Sequence, residues 1–322
     1  MIIKPRNLPI EIRKLESLQR RLSLKHPQYQ HVSDQLGKFK SGHNGEESLD
    51  FPLSFLSTQK YRILHNLRLN DGSRFFQLDT LILSPQFLLI LEVKNYSGTL
   101  TFNTSYNQLI REKDGLEEAF PDPVIQVTRQ QEQLQAWMQA QLGFTMMVET
   151  LVVFANERTV VKSTENDKET MLRVTNRSAL PYRIRELEKK HQHNKKHELK
   201  SLSDYLIRAN QEIDWDILEK YQIKRTEIKT GVACPKCALI PMLREFRVWA
   251  CPRCQFKSRD SHLEALKDYY YLISPTISNR EARDFLHISS RDIAYWMLRR
   301  LGSKSAGRGM RYNLGNLFDY EG

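Results

Sequence analysis

The sequence predicts a mixed α/β chain, with α+β as the variant that the same pattern allows. Two observations carry that prediction. Apolar, β-favouring runs cluster at Tyr61–Leu69, Gln77–Leu83, Phe87–Val93 and Gly98–Phe102. Charged, helix-patterned segments lie on both sides of that block. A chain of 322 residues, 40% of them hydrophobic, is long enough for two or three units and for at least one real core, which excludes a wholly disordered chain. There is no internal repeat and no long low-complexity tract.

In chain order, a basic helix or two is expected over Pro9–Leu24, then a turn near His26-Pro27 and another short helix. The segment from Gly42 to Leu56 is expected to open a helix ahead of the β-rich block. A helix follows Pro123 to about Gln141, and Met146–Phe154 reads as a buried strand. Charge dominates from Glu157 to Lys229, with helices expected at Tyr182–Lys196 and Leu202–Tyr221. The polar run from His191 to Lys196 is read as a solvated loop or helix face.

The richest apolar stretch, Leu78–Val93, is cut by Asp79, Ser84, Pro85, Gln86 and Glu92. It falls short of the roughly 18–20 apolar residues that a membrane helix needs. The amino terminus, with Lys4, Arg6, Glu11, Arg13 and Lys14, lacks a signal-peptide pattern. Four cysteines in two close pairs do not make a secreted disulfide framework. A soluble, cytoplasmic setting without a membrane partner is expected.

The net charge of +11 is unevenly placed. Residues 1–42 carry +6, residues 43–230 carry −1, and residues 231–322 carry +6. A basic flank is most simply a solubilising surface. Two basic flanks around a neutral body suggest a nucleic-acid partner, because neutralising phosphates supplies the sequence-independent part of such binding.

Two apolar runs flank the break at Pro85-Gln86, which predicts an antiparallel hairpin. A symmetric turn pairs positions whose numbers sum to 171, so Ser84 faces Phe87 and Asp79 faces Glu92. Proline disfavours the primed two-residue turn, so a four-residue loop is preferred. Strand alternation then gathers Asp79, Glu92 and Lys94 on one face. Opposed carboxylates repel unless a cation lies between them. Lys94 could supply part of that charge and a hard divalent ion such as Mg²⁺ the rest. An ion on Asp79 and Glu92, with Lys94 orienting or deprotonating a water, would suit attack on a phosphodiester. The plain alternative is a surface salt bridge on an exposed strand.

Asp79, Glu92 and Lys94 resemble the core of the PD-(D/E)xK nuclease superfamily. The longer pattern resembles the nuclease-related domain known as NERD, over roughly residues 38–155. Its parts are Gly42, Gly45 and Glu46 opening a helix, Gln77-Leu-Asp79 on one strand, Glu92-Val-Lys94-Asn95 with Gly98 on the next, and Pro123 with Gln126 opening a helix. The aspartate follows Leu78 where the motif has proline. The resemblance implies a restriction-endonuclease-like mixed β-sheet flanked by helices. It also implies Mg²⁺ (or Mn²⁺) on Asp79 and Glu92, Lys94 as the catalytic lysine, and Glu46 in the metal shell, directly or through water. Gln126 would contact or orient the site. Glu47 competes with Glu46, and the Gly-Glu order favours Glu46. Gly98 serves the turn rather than the chemistry.

Cys234, Cys237, Cys251 and Cys254 form two Cys-x2-Cys knuckles 13 residues apart. That spacing brings four thiolates within reach of one tetrahedral Zn²⁺. Four cysteine ligands leave no open position, so the zinc would be structural, in a zinc ribbon with Met242–Trp249 as strand material. The alternative is a pair of redox dithiols. Metal binding is expected to drive most of the ribbon's folding. Lys236, Arg244, Arg247, Arg253, Lys257 and Arg259 suit the ribbon to nucleic acid, and a protein partner is the equal alternative.

Beyond the ribbon, Ser278–Leu286 and Arg291–Leu301 read as two short helices around a turn, capped by Ser278 or Asn279 and by Ser289 or Ser290. Ala282, Phe285, Leu286, Ile293, Met297 and Leu301 supply apolar positions. The stretch resembles the start of helix-turn-helix domains in bacterial regulators, without a family-specific motif, and a plain helical hairpin on the ribbon is the alternative. Arg291, Arg299, Arg300, Lys304, Arg308 and Arg311 are the candidate phosphate contacts. Trp296 and Met297 are expected in the core or an interface.

The domain order expected is therefore a basic helical segment (1–37), a nuclease-like domain (38–155), a charged helical linker (156–230), a four-cysteine zinc ribbon (231–260) and a helix-turn-helix-like basic tail (261–322). The function expected is metal-dependent hydrolysis of DNA phosphodiesters. A non-catalytic DNA-binding regulator with a nuclease-like structural module is the alternative. RNA ranks below DNA, since no aromatic-rich RNA-binding signature stands out.

Overall fold

The computed structural model describes residues 1–163, 168–213, 215–301 and 310–318. From the amino terminus the elements run β1 (Ile2–Lys4), α1 (Ile10–Arg21), α2 (Tyr29–Glu47) and α3 (Asp50–Leu53). A β-rich stretch follows, with β2 (Arg62–Asn70), β3 (Phe75–Leu83), β4 (Leu88–Lys94), β5 (Thr99–Asn103), β6 (Gln108–Lys113) and β7 (Leu116–Pro121). Next come α4 (Pro123–Leu142), β8 (Val148–Phe154), β9 (Val160–Ser163), α5 (Lys168–Arg173), β10 (Val174–Asn176), α6 (Leu180–Lys190), α7 (Leu199–Ala209) and α8 (Ile217–Lys220). The carboxy-terminal part holds β11 (Leu243–Arg244), β12 (Trp249–Ala250), β13 (Lys257–Ser258), α9 (Ser261–Leu272), β14 (Thr276–Ser278), α10 (Asn279–Leu286), α11 (Arg291–Leu298) and β15 (Arg311–Asn313). The fold is mixed α/β, as the sequence predicts. Among the described residues no helix is long and apolar enough to cross a membrane.

The chain forms two compact units, one of residues 1–7 and 40–213, the other of residues 8–39 and 214–322. The first is built on a six-stranded mixed sheet ordered β1-β2-β3-β4-β8-β10. Strands β2, β3 and β4 are antiparallel neighbours, whereas β4, β8 and β10 run parallel. Alternation divides the apolar side chains between two faces. Leu81, Leu83, Leu88 and Ile90 pack with Leu134, Trp137 and Met138 of α4 and with Leu202 and Leu206 of α7. Ile82, Leu89, Leu91, Leu151 and Val153 pack with Leu49, Leu53, Leu180 and Ile184 on the other side. Burial on both faces explains why these strands read as nearly continuous apolar runs. A second, four-stranded sheet is ordered β7-β6-β5-β9.

The second unit combines α1 and the first part of α2 with the chain from α8 onward. Ile12, Leu15 and Leu18 of α1 share a core with Ile217, Leu218 and Leu272. Arg21 of α1 is fully buried, with Nε 2.8 Å from Asp268 Oδ2 and Nη1 donating to the carbonyls of Lys229 and Gly231. Its guanidinium also lies 4.5 Å from the Phe285 ring centroid. Lys14 Nζ donates to the Trp215 carbonyl at 2.6 Å. Several cations of the basic amino-terminal flank are thus engaged inside this unit.

Four local expectations need correction. Residues 42–46 do not open a helix but lie in the last turns of α2. The expected helix at Tyr182–Lys196 stops at Lys190, and His191 is no solvated residue. It is buried, with Nε2 2.6 Å from Glu149 Oε1 and its ring against Phe87. The stretch Leu202–Tyr221 breaks after Ala209, where Asn210 turns extended and its side chain accepts from the Arg68 N–H. Within the ribbon, Arg247 adopts φ 60°, so Met242–Trp249 forms the two edges of a turn rather than one strand.

Candidate active site and cysteine cluster

The β3–β4 hairpin has the expected register. Thr80 pairs with Leu91 and Leu83 with Leu88, and the Ser84 N–H bonds to the Phe87 carbonyl across a four-residue loop. The carboxylate of Asp79 then stands where the ladder would continue, and its Oδ2 accepts from the Val93 N–H at 2.9 Å. Glu92 and Lys94 share one face of β4, with Lys94 Nζ 2.7 Å from Glu92 Oε1. Asp79, Glu92 and Lys94 are therefore brought together.

Helix α4 supplies the next layer. Asp122 caps it by accepting from the Val124 N–H at 2.7 Å, Pro123 fills its first turn, and Gly143 ends it at φ 72°. Gln126 Oε1 accepts from Lys94 Nζ at 3.1 Å. One turn further on, buried Gln130 donates from Nε2 to Glu92 Oε2 at 2.9 Å and to the Gln77 carbonyl at 3.1 Å. Sequence reasoning missed Gln130, although its spacing of four from Gln126 puts both on one helical face.

Helix α2 brings Glu46. Gly45 packs so closely on Asn95 that an added Cβ would lie 2.6 Å from the asparagine Cβ, and Asn95 Nδ2 donates to the Ser41 carbonyl at 2.8 Å. The glycine therefore lets the helix end approach the end of β4. Glu47 points outward and pairs with His43 at 3.2 Å, leaving Glu46 as the inward acid. Gly98 sits at φ 102° against the Glu112 carbonyl, a backbone role.

Arg6, beyond the reach of any sequence motif, also enters this cluster. Its side chain is 2% exposed, with Nη1 2.5 Å from Asp50 Oδ1 and Nε 3.4 Å from Glu46 Oε2. Its Nη2 donates to His65 Nδ1 at 2.9 Å. Burial, then the charge of Arg6, hold His65 down to about 4, so the ring is neutral and can accept from the guanidinium.

The electrostatics of the cluster follow from crowding of carboxylates. Burial, then Glu92 and Glu46, push Asp79 well above the ordinary carboxylate range. Burial raises Glu46 to about 7 against the pull of Arg6. For Lys94, burial favours the neutral amine, but Glu92 and Asp79 outweigh it and its pKa is raised. The lysine is an ammonium here. Glu46 Oε2 is buried and faces the Arg6 Nε at 3.4 Å without a well-formed hydrogen bond. Asp79 and Glu92 offer hard oxygen donors beside one another, the type of donor set that a divalent ion such as Mg²⁺ takes. Among the described residues, Glu46, Asp79 and Glu92 do not close into a three-ligand cluster within 4.8 Å.

The four cysteine Sγ atoms do close to within 4.8 Å, the one such cluster among the described residues. Cys234 and Cys254 are 3.6 Å apart, and Cys237 and Cys251 are 3.5 Å apart. A tetrahedron with metal–sulfur bonds of about 2.3 Å has edges of roughly 3.8 Å, so the four thiols can hold a structural metal such as zinc. The ribbon is not an isolated unit. Met242 and Trp249 share a core with Ala265, Leu266, Phe285 and Leu298, so helix packing supports it beside any metal. Arg244 is half-buried over the Trp249 ring rather than exposed, whereas Lys236, Arg247, Arg253, Lys257 and Arg259 are exposed.

Helices α10 and α11 form on either side of a turn. Ser278 and Glu281 make a reciprocal capping box, and Ser290 caps α11. Arg291, Arg299 and Arg300 are exposed. Arg311 is engaged internally on β15, with Nε 2.8 Å from Thr276 Oγ1 and Nη2 3.0 Å from Glu281 Oε2. Lys304 and Arg308 lie outside the described residues. Ile293 and Trp296, expected inside, face outward, whereas Met297 is partly buried.

Residues 41–155, a little over a third of the chain, match the family model described as nuclease-related domain. No curated protein and no solved structure matches the chain.

Proposed function

We propose that this chain is a metal-dependent nuclease that hydrolyses DNA phosphodiester bonds at Asp79, Glu92 and Lys94. The observation that carries the reading is the Lys94 ammonium, fixed between Glu92 and Gln126 beside the crowded Asp79 carboxylate. Asp79 and Glu92 would hold Mg²⁺ (or Mn²⁺), with Glu46 acting through a water. Such an ion supplies Lewis-acid stabilisation of the phosphate and lowers the pKa of a bound water. Gln130 fixes the Glu92 carboxylate, and Gln126 fixes the Lys94 amine. Lys94, held as a cation, would orient the attacking water and offset charge that builds on the non-bridging phosphate oxygens. The second unit would hold DNA through Arg291, Arg299 and Arg300, joined by Lys304 and Arg308 and by the exposed ribbon cations. Arg311 would support that surface from β15. Cys234, Cys237, Cys251 and Cys254 would carry one structural Zn²⁺.

Metal binding at the carboxylates is tested by thermal unfolding with and without Mg²⁺. Asp79 and Glu46 have raised folded pKa values, so protonation relieves their repulsion and metal-free stability from these groups falls as pH rises through those values. Mg²⁺ must displace the protons. Its stabilising effect should therefore be larger at pH 8 than at pH 6, and absent in Asp79→Asn. An equal Mg²⁺ effect in Asp79→Asn would count against the site.

Gln130→Ala should weaken Mg²⁺ binding about 10- to 100-fold, as loss of a residue that orients a metal ligand does. Titration calorimetry reads that directly, and unchanged affinity would remove Gln130 from the site. Native mass spectrometry should find one zinc per chain, and chelation should lower the unfolding midpoint of the second unit. A metal-free chain with an unchanged midpoint would contradict the structural-zinc reading.

A further inference from the structure

Helix α11 buries Ala294 and Leu298 and turns an aromatic face outward. Ile293 is 40% exposed, Tyr295 44% and Trp296 59%. The Tyr295 and Trp296 rings meet edge to face with centroids 5.9 Å apart, and the Arg299 guanidinium lies 4.3 Å from the Trp296 centroid. Arg291, Tyr295 and Arg299 follow at spacings of four, which sets two cations along the same stripe as the tyrosine. The other tryptophans are placed differently. Trp249 is fully buried, Trp137 nearly so, and Trp215 is packed under Lys14 and Lys220. Single exposed rings are common, but Ile293, Tyr295 and Trp296 are exposed together on one short helix, and a contiguous apolar patch marks an interaction surface.

The charge around the face says what kind of partner fits. On and beside α11, Arg291, Arg299 and Arg300 are exposed, and Asp292 is the one carboxylate of the helix. Three exposed cations against one carboxylate suit a polyanion better than an ordinary protein surface. Exposed aromatic rings flanked by arginines fit unpaired bases, because every base has a π-face and the arginines meet the neighbouring phosphates. A duplex keeps its base faces stacked, and its major-groove edges are read mainly by Arg, Lys, Asn and Gln side chains.

We propose that α11 is a stacking platform for single-stranded nucleic acid, with Trp296 and Tyr295 taking unpaired bases and Arg291 and Arg299 the adjoining phosphates. The inference rests on nucleic acid being the partner, but not on catalysis at Lys94.

The test uses the full, zinc-loaded chain with Lys94→Ala, so that strands stay intact. Fluorescence anisotropy would follow binding to a 20-nucleotide oligo-dT, the matching oligo-U and a 20-base-pair duplex. Trp296→Ala is expected to weaken binding to the single strands about 10-fold, and Trp296→Phe to retain most of it. Duplex affinity and the salt slope should stay within twofold, since no phosphate contact is lost. Unequal loss on oligo-dT and oligo-U would tell which strand is preferred and still supports the platform. Equal loss on single strand and duplex, or no loss at all, would overturn it while leaving the nuclease site untouched. A dimer seen by light scattering in the Trp296 protein and lost in Trp296→Ala would also overturn it, assigning the face to a second copy. An unchanged melting midpoint for Trp296→Ala serves as the folding control.

Discussion

Lys94→Ala is expected to lower DNA cleavage about 1,000-fold, within the range for a positioned proton-transfer or charge-stabilising group. It should leave DNA affinity and the Mg²⁺-induced stabilisation in place. Lys94 Nζ reaches Glu92 and Gln126 and would lie beside, not in, the ion's donor set. Removing the ammonium takes a competing cation away from Glu92, so Mg²⁺ affinity should hold or rise. Glu92→Ala should differ by losing cleavage and the Mg²⁺ effect together. Single-turnover cleavage and calorimetric Mg²⁺ titration of both variants separate the two roles. A Lys94→Ala protein that cuts at near wild-type rate would remove the lysine from the chemistry.

Arg21→Ala is expected to destabilise the second unit by about 3–5 kcal/mol, the usual result of leaving one member of a buried ion pair without its partner. Both Arg21 and Asp268 are fully buried. Burial raises Asp268 despite Arg21 and Arg20, and burial lowers Arg21 despite Asp268. Burial thus opposes the charged form of both partners, and a buried pair of this kind is costly chiefly when one member is removed. Arg21 also satisfies the carbonyls of Lys229 and Gly231, just before the ribbon, and those bonds would be lost as well. Urea unfolding followed by tryptophan fluorescence reports on this unit through Trp215 and Trp249. A loss below about 1 kcal/mol would mean that water replaces the guanidinium at little cost.

The hairpin that holds Asp79 and Glu92 was legible because its information is local. Two apolar runs, a proline in the loop and strand alternation are enough to set register. The helix after Pro123 was legible for the same reason, because proline suits the first turn of a helix. Other parts depend on contacts distant in sequence. Arg6 reaches the site from the segment after β1, a three-residue edge strand paired with β2 some 60 residues later, and no short pattern announces that. Strands β6 and β7 escaped notice because their exposed faces carry charge and their apolar alternation is sparse. The Asp114-Gly115 turn between them, at φ 52° and 75°, was a hairpin signal that could have been used. The helical expectation from Gly42 onward erred in direction. Glycine weakens a helix interior, yet Gly45 is retained where the helix must approach Asn95. The basic amino-terminal flank looked like a surface for phosphate, whereas Lys14, Arg20 and Arg21 bind partners within the second unit. Charge counts do not distinguish those uses. Trp296 was misplaced because helical spacing alone does not tell an outward stripe from an inward one.

The most direct test of the account is whether the zinc-loaded wild-type chain cuts supercoiled plasmid or single-stranded DNA when Mg²⁺ or Mn²⁺ is supplied. Cleavage that requires the added ion, and that disappears in a parallel Glu92→Ala preparation, is the result predicted. Salt-sensitive DNA binding without cleavage by the wild type under any of these ions would contradict it, and would leave a DNA-binding regulator built on a nuclease-related fold.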